Sequence, residues 1–167
     1  MQKSVRQKDL GGNPMEFMTN NSARSCTCPE CIEMCRTYPC MPTVLEASRL
    51  INAGYADRLM LKACPASNDN TLVIPGLCPA IVGFEKSVGP LKMHQGPCTF
   101  LKGDRCELHD LGLKPAEGRF ATHETTPEQE EKFMVHIMKT WATMDGNKLL
   151  LEWEKYCEIK IQGPGFS

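Results

Sequence analysis

Residues 28–40 read CPECIEMCRTYPC and carry four cysteines within thirteen positions. Cys28 and Cys31 form a C-x2-C knuckle, a spacing that lets two thiolates reach one metal ion at about 2.3 Å. Cys35 follows four residues after Cys31, and Cys40 follows five residues after Cys35. One loop with a turn can therefore deliver three or four sulfur atoms to the same place, and we expect metal to organise this stretch.

A second group of candidate ligands lies in the stretch CTFLKGDRCELHD at 98–110. Gly103 and Asp104 predict a turn between Cys98 and Cys106, as in a short hairpin or knuckle. We expect these two cysteines to face each other across the turn. His109 adds a nitrogen donor of the borderline softness that zinc accepts.

Length and charge limit the class of protein. The chain has 167 residues, which is enough for one domain with a buried core. Its formal net charge of −1 lacks the basic excess of a general nucleic-acid binder, and its apolar runs are far shorter than the ~20 residues of a membrane span. Nucleic acid and membrane are therefore disfavoured as partners, and nothing in the sequence identifies a small-molecule substrate.

The ten cysteines favour metal over disulfides. The N-terminus carries no apolar signal segment, so we expect a cytoplasmic protein whose thiols stay reduced. Cys78 is an even choice between ligand and core residue, and His123 is equally open. Cys26, Cys64 and Cys157 are predicted to be core or spare thiols, because a free cysteine behaves as a small hydrophobe. The spacing does not decide between zinc and an iron–sulfur cluster, and it permits one site or two.

The predicted fold class is mainly α, with irregular metal-organised loops and at most a short β-hairpin, in a small single domain. A T-x-x-E capping box at 43–46 starts one helix that stops near Gly54, and a second, shorter helix is predicted over 55–63. Residues 71–74 predict one short strand that ends at Pro75 and Gly76.

The capping box at 126–129, with proline at the first helical position, predicts an amphipathic helix that ends at Asp145 and Gly146. A last helix is predicted from 147 to about 161. We divide the chain into a flexible N-terminal arm at 1–25, a cysteine-cluster metal-binding domain at 26–125, and a C-terminal helical hairpin at 126–162 that packs on the same domain.

Both cysteine stretches resemble the YkgJ-type cysteine-cluster family, which is described as a zinc- or iron-chelating domain. Its members look like C-x2-C-x2-CC near the start, to which CPECIEMCRTYPC is similar. A later C-x-F-L segment ends in R-P-x2-C-R, to which CTFLKGDRCELHDLGLKPAEGR at 98–119 is similar. The resemblance spans roughly 28–123 and implies that Phe100 and Leu101 pack under the knuckle. The ligand positions that it implies are Cys28, Cys31, Cys35, Cys98 and Cys106.

This chain departs from the family pattern at two places. The adjacent CC pair is missing, and Gly118 stands where the last cysteine of the pattern is expected. Cys40, Cys78 or His109 could supply the missing ligand. The site is therefore interpreted as a variant of the family site.

Two function hypotheses follow, and neither identifies a catalytic residue. The first is a metal-chelating protein, holding zinc or an iron–sulfur cluster, with a structural or partner-binding role. It expects the apolar helix faces near Phe133 and Trp141 to be available to a protein partner. The second is an iron–sulfur enzyme or electron carrier that acts on another protein. A zinc-knuckle nucleic-acid binder ranks last, because the charge is balanced and aromatic residues are few beside the cysteines.

Overall fold

The computed structural model describes residues 28–65, 72–88, 96–120 and 125–157. Its helices are α1 (Pro29–Thr37), α2 (Val44–Asn52), α3 (Glu107–Asp110), α4 (Ala116–Phe120), α5 (Pro127–Trp141) and α6 (Met144–Cys157). Its strands are β1 (Leu59–Pro65), β2 (Val73–Pro79), β3 (Leu101–Lys102) and β4 (Arg105–Cys106), and a 3₁₀ turn (Ala56–Arg58) precedes β1. The prediction of a mainly α class is confirmed.

Both predicted capping boxes are present. The Thr43 hydroxyl accepts the Glu46 amide, and the Glu46 carboxylate accepts the Thr43 amide at 2.9 Å. Thr126 and Gln129 make the same reciprocal pair at the start of α5, with Pro127 at the first helical position. These local hydrogen bonds satisfy amides that would otherwise lack a partner, which explains why both helices begin where the sequence predicts.

The predicted end of α5 at Asp145 and Gly146 is wrong. The helix ends at Trp141, and a new helix begins at Met144, so that Gly146 lies inside α6. A Cβ atom at Gly146 would lie 2.5 Å from the Trp141 carbonyl oxygen. The glycine therefore permits a close approach between the two helices and does not act as the predicted helix stop.

The predicted second helix over 55–63 is also wrong. Only the 3₁₀ turn is helical there, and the chain then enters β1, which pairs antiparallel with β2 from Leu59 opposite Pro79 to Pro65 opposite Val73. Consecutive residues Leu59, Met60 and Leu61 are all buried, so the strand is covered on both faces. A strand covered on both faces lacks the alternation that identifies a half-buried strand.

The strand predicted at 71–74 is longer than expected, and part of it lies outside the described residues. β2 continues through Pro75 and Gly76 to Pro79. A Cβ atom at Gly76 would lie 2.2 Å from Met41 Cε and 3.0 Å from the Trp141 ring. Glycine is needed at this position because two core side chains pack directly on the strand backbone.

The core joins this hairpin to the C-terminal helices. The Trp141 indole donates to the Pro42 carbonyl at 2.7 Å, and the Trp153 indole donates to the Ala56 carbonyl at 2.8 Å. Phe133 and Trp141 are 4% and 1% exposed, so the expectation that they are available to a partner is wrong. Among the described helices, none combines the length and apolar character needed to cross a membrane.

Candidate functional site

The predicted knuckle is present as the β3–β4 hairpin. Its turn places Gly103 at φ +60°, in the left-handed region that favours glycine. Cys106 is paired with Leu101, whose amide donates to the Cys98 carbonyl at 3.0 Å. Cys98 therefore lies just before the hairpin, and the expectation that the two cysteines oppose each other directly is corrected. Phe100, which directly precedes β3, is fully buried.

The first cysteine stretch forms a helix over most of its length, where we expected a metal-organised loop. Pro29 stands at the first helical position of α1, and Cys28 is the residue before it. Proline is well tolerated there, because its missing N–H would have no partner within the helix. Cys31 and Cys35 are four residues apart and so share one face of α1. The Cys28 thiol donates to Glu30 at 3.5 Å.

The two cysteine stretches meet at the C-terminal end of α1. The Cys98 amide donates to the Cys35 carbonyl at 3.0 Å, and the Gly96 amide donates to the Thr37 carbonyl at 3.1 Å. On the surface, the Arg36 guanidinium forms an ion pair with Asp104 in the hairpin turn. Exposed pairs contribute at most about 1 kcal/mol, so the backbone bonds and the core fix this junction.

Four thiols from these stretches form what we call the central thiol cluster: Cys35, Cys40, Cys98 and Cys106. In each of the six possible pairs, one sulfur lies close enough to affect the ionisation of the other. Burial raises the pKa of the Cys98 thiol to about 12, and a hydrogen bond from the Phe100 amide opposes that rise. The Cys106 and Cys35 thiols raise the pKa further. Burial also raises the pKa of Cys40 well above its ordinary value.

Cys40 enters the cluster next to Gly118. A Cβ atom at Gly118 in α4 would lie 3.1 Å from Cys40 Sγ. The next residue, Met41, donates its amide to the Glu117 carboxylate. Burial raises the pKa of Glu117 to about 7. The segment that carries Cys40 is thus held against α4.

The other predicted site residues lie at the margin of this cluster or away from it. Cys31 affects the ionisation of Cys35, and Cys78 is affected by both Cys98 and Cys64. His109 is half-buried in α3, and within the described ranges its imidazole forms no hydrogen bond with a cysteine. Cys157 is half-buried on α6, with its thiol 3.9 Å from the Ala56 carbonyl. Cys26, His123 and the arm at 1–25 lie outside the described residues.

Two cationic side chains flank the central thiol cluster, and neither is among the predicted site residues. Lys114 is 6% exposed, and its ammonium opposes the rise in the pKa of Cys35 that burial causes. The Arg58 guanidinium lies 3.8 Å from the centre of the Phe100 ring. It donates to the Thr99 carbonyl at 2.6 Å and to Glu107 at 2.9 Å. No motif marks Arg58, whereas Lys114 stands at the arginine position of the R-P-x2-C-R pattern that 98–119 resembles.

The donor chemistry of the cluster suits a thiophilic metal, since four soft sulfur donors are the ligands of many zinc sites and iron–sulfur clusters. Each of the four cluster members carries a free thiol. Within the described ranges, no three cysteine, histidine, aspartate or glutamate side chains already form a ligand set for one ion. Metal binding would therefore need the sulfur atoms to turn toward a common centre.

Comparisons with known proteins add no relative to this geometry. The chain matches no protein-family model, no curated protein and no solved structure.

Proposed function

We propose that the central thiol cluster binds a thiophilic metal centre, zinc or an iron–sulfur cluster, and that the centre ties α1 to the β3–β4 knuckle. The observation that carries the proposal is the mutual proximity of Cys35, Cys40, Cys98 and Cys106. Four is the number of thiolates that a tetrahedral zinc site or a common iron–sulfur cluster requires. A reducing compartment such as the cytoplasm, which keeps these thiols available, is part of the proposal.

Electrostatics supports this function. Burial raises the pKa of the Cys98 and Cys40 thiols, so ionising them without a compensating charge is costly. A metal ion supplies that charge and holds the sulfurs as thiolates. The Phe100 amide already donates to the Cys98 sulfur, as amides of metal knuckles do.

Tetrahedral coordination sets the separation that the sulfur atoms of a zinc site require. With a zinc–sulfur bond near 2.3 Å, the sulfur atoms of a tetrahedral site are about 3.7 Å apart. The backbone bond between Cys98 and Cys35 already holds the two stretches together at 3.0 Å from nitrogen to oxygen. We therefore expect the metal to draw in side chains at a junction that the backbone has formed.

The first experiment measures metal content and the visible spectrum of protein purified without oxygen and without added metal. The Cys98→Ala variant should lose the metal, whereas the matched Cys157→Ala control, which removes a thiol far along the chain on α6, should keep it. A wild-type protein that binds neither zinc nor iron would overturn the proposal, as would equal metal content in the two variants.

The same measurement separates the two function hypotheses. Colourless protein with zinc near one equivalent favours a structural centre that presents a surface to a protein partner. Iron with sulfide and a broad band near about 400 nm favours an iron–sulfur enzyme or electron carrier that acts on another protein.

The place of Cys40 offers a second test, which also examines the resemblance to the YkgJ-type family. Cys40 Sγ lies 3.1 Å from the Cβ position of Gly118, where the family pattern has a cysteine. We infer that Cys40 supplies the ligand that position 118 lacks. The Cys40→Ala variant should lose metal, and the double variant Cys40→Ala with Gly118→Cys should regain it. A Cys40→Ala variant with full metal content would remove Cys40 from the ligand set.

Chelation tests the structural role. Metal binding contributes about 10–16 kcal/mol of folding free energy in isolated zinc-finger peptides, which are unfolded without it. Here the core around Trp141 and Trp153 is formed by other elements, and both indoles are buried. We expect a chelator to increase amide hydrogen exchange at 35–40 and 96–106 while the tryptophan fluorescence stays unchanged.

A further inference from the structure

Lys114 is buried, and no described residue gives it an acidic partner. It is 6% exposed, and among the described residues it is the one charged side chain with so little exposure. No carboxylate in the described ranges forms an ion pair with its ammonium group. A buried cation is costly unless negative charge lies nearby. The position of Lys114 therefore needs an explanation that its own neighbours in the chain do not give.

The central thiol cluster, once ionised, would supply such negative charge close to Lys114. A Cβ atom at Gly118 would lie 3.0 Å from Lys114 Cε and 3.1 Å from Cys40 Sγ, so both side chains pack on the same glycine. The field of the ammonium group also reaches Cys35. Lys114, which lies two residues before α4, is thus close to both Cys40 and Cys35.

The net charge of a metal–thiolate centre suggests a role for the Lys114 cation. Four thiolates around one divalent ion carry a net charge of −2, and the same holds for four thiolates around a cluster core of charge +2. Such a centre in a buried site is more stable when cations lie beside it. Arg58 lies on the Cys98 side, but it is already paired with Glu107 at 2.9 Å. Lys114 has no such competing partner among the described residues.

We propose that Lys114 is a positioning residue that compensates the negative charge of a metal–thiolate centre and so sets how tightly the central thiol cluster holds its metal. This inference rests on the proposed function. It assigns to Lys114 a role in metal affinity that is separate from the folding of the chain.

The test is a zinc competition titration, at fixed pH and with a chromophoric chelator, on wild type, Lys114→Met and Lys114→Arg. We expect Lys114→Met to bind zinc about ten- to a hundredfold more weakly, the range typical of residues next to metal ligands. Lys114→Arg should recover most of the affinity, because it restores the charge. The matched control is Lys139→Met, which removes an exposed lysine on α5 and should leave zinc affinity unchanged.

Folding is measured separately, by urea unfolding in the presence of a chelator. Lys114→Met should be about as stable as wild type there, because no ion pair of Lys114 within the described ranges is lost, so the affinity should fall while the stability stays unchanged. If Lys114→Met does not fold, Lys114→Gln makes the same comparison with a neutral polar side chain.

Each outcome decides between the two proposals. Wild-type protein that binds zinc while Lys114→Met or Lys114→Gln binds it within about twofold overturns this inference alone. Weak binding by Lys114→Arg, equal to that of the neutral variant, also overturns it, because the charge would then be irrelevant. Wild-type protein that binds no zinc and holds no iron overturns the proposed function, and the role of Lys114 falls with it.

Discussion

Replacing Gly76 by alanine tests the packing that holds the Cys40 segment in place. The added Cβ atom would lie 2.2 Å from Met41 Cε and 3.0 Å from the Trp141 ring. Met41 is 1% exposed, so its side chain has no solvent to move into. Because Met41 directly follows Cys40, a shift here would reach the central thiol cluster.

The expected loss of unfolding free energy follows from these distances. Overpacking a core by one methyl group costs about 1–3 kcal/mol, and the lower backbone entropy of unfolded alanine returns about 0.4–1 kcal/mol. We expect Gly76→Ala to be about 1–2 kcal/mol less stable than wild type. Urea unfolding followed by tryptophan fluorescence measures this, since Trp141 and Trp153 are both buried in the native protein.

A double-mutant cycle identifies the cause. Met41→Leu removes the Cε atom at a cost below about 1.5 kcal/mol, and it should relieve Gly76→Ala by about 1 kcal/mol when the two are combined. Gly83→Ala is the control, because Gly83 has φ +91° and no atom within 4 Å of its Cβ position. Its cost is conformational, so Met41→Leu should not relieve it. Wild-type stability in Gly76→Ala, or strict additivity with Met41→Leu, would refute the reasoning.

Three further predictions concern stability, each measured by urea unfolding in a chelator. Burial raises the pKa of Glu117 to about 7 from an ordinary 4.5. The stability that the neutral carboxyl contributes is therefore complete below pH 4.5 and is lost as the pH rises through 7. The unfolding free energy of wild type, relative to that of Glu117→Gln, should fall by up to about 3 kcal/mol between pH 4.5 and about 8. A difference between the two proteins that does not change with pH would contradict this. Trp141→Phe leaves the Pro42 carbonyl without its 2.7 Å donor and should cost about 1–3 kcal/mol, whereas an unchanged stability would mean that another donor replaces the indole. Thr126→Ala should lower the unfolding free energy by about 1 kcal/mol. Thr43→Ala should lower it further, because Thr43 is buried and Thr126 exposed. Equal losses in the two variants would contradict this.

Local chemistry determines which parts of the fold could be predicted. The capping boxes at Thr43 and Thr126 act through hydrogen bonds within four residues, and the turn at Gly103 depends on one left-handed residue. Such features depend on a few neighbouring residues, so a short stretch of sequence is enough to predict them. The sequence could not reveal β1, because a strand buried on both faces has no alternation. It could not reveal the role of Gly146 either, since the close contact with Trp141 requires the adjacent helix to be placed first.

In the candidate site, too, local spacing predicts one part of the arrangement and tertiary contacts determine the rest. Spacing suggested that cysteines from both stretches meet, and the Cys98 amide does donate to the Cys35 carbonyl. Spacing did not favour Cys40 over Cys78 or His109 as a further ligand. That preference comes from tertiary contacts, because α4 and Gly118 are more than seventy residues from Cys40 in the chain.

The way Cys40 is held bears on what a metal would contribute. The two residues that follow it are fixed by the core: the Met41 amide donates to Glu117, and the Pro42 carbonyl accepts from Trp141. None of these contacts uses a sulfur atom. The position of Cys40 is therefore determined by the folded core, and so is the junction between Cys35 and Cys98. Since burial makes the ionised thiols costly, a metal would stabilise this junction by supplying positive charge, and the cation of Lys114 acts on that same charge balance.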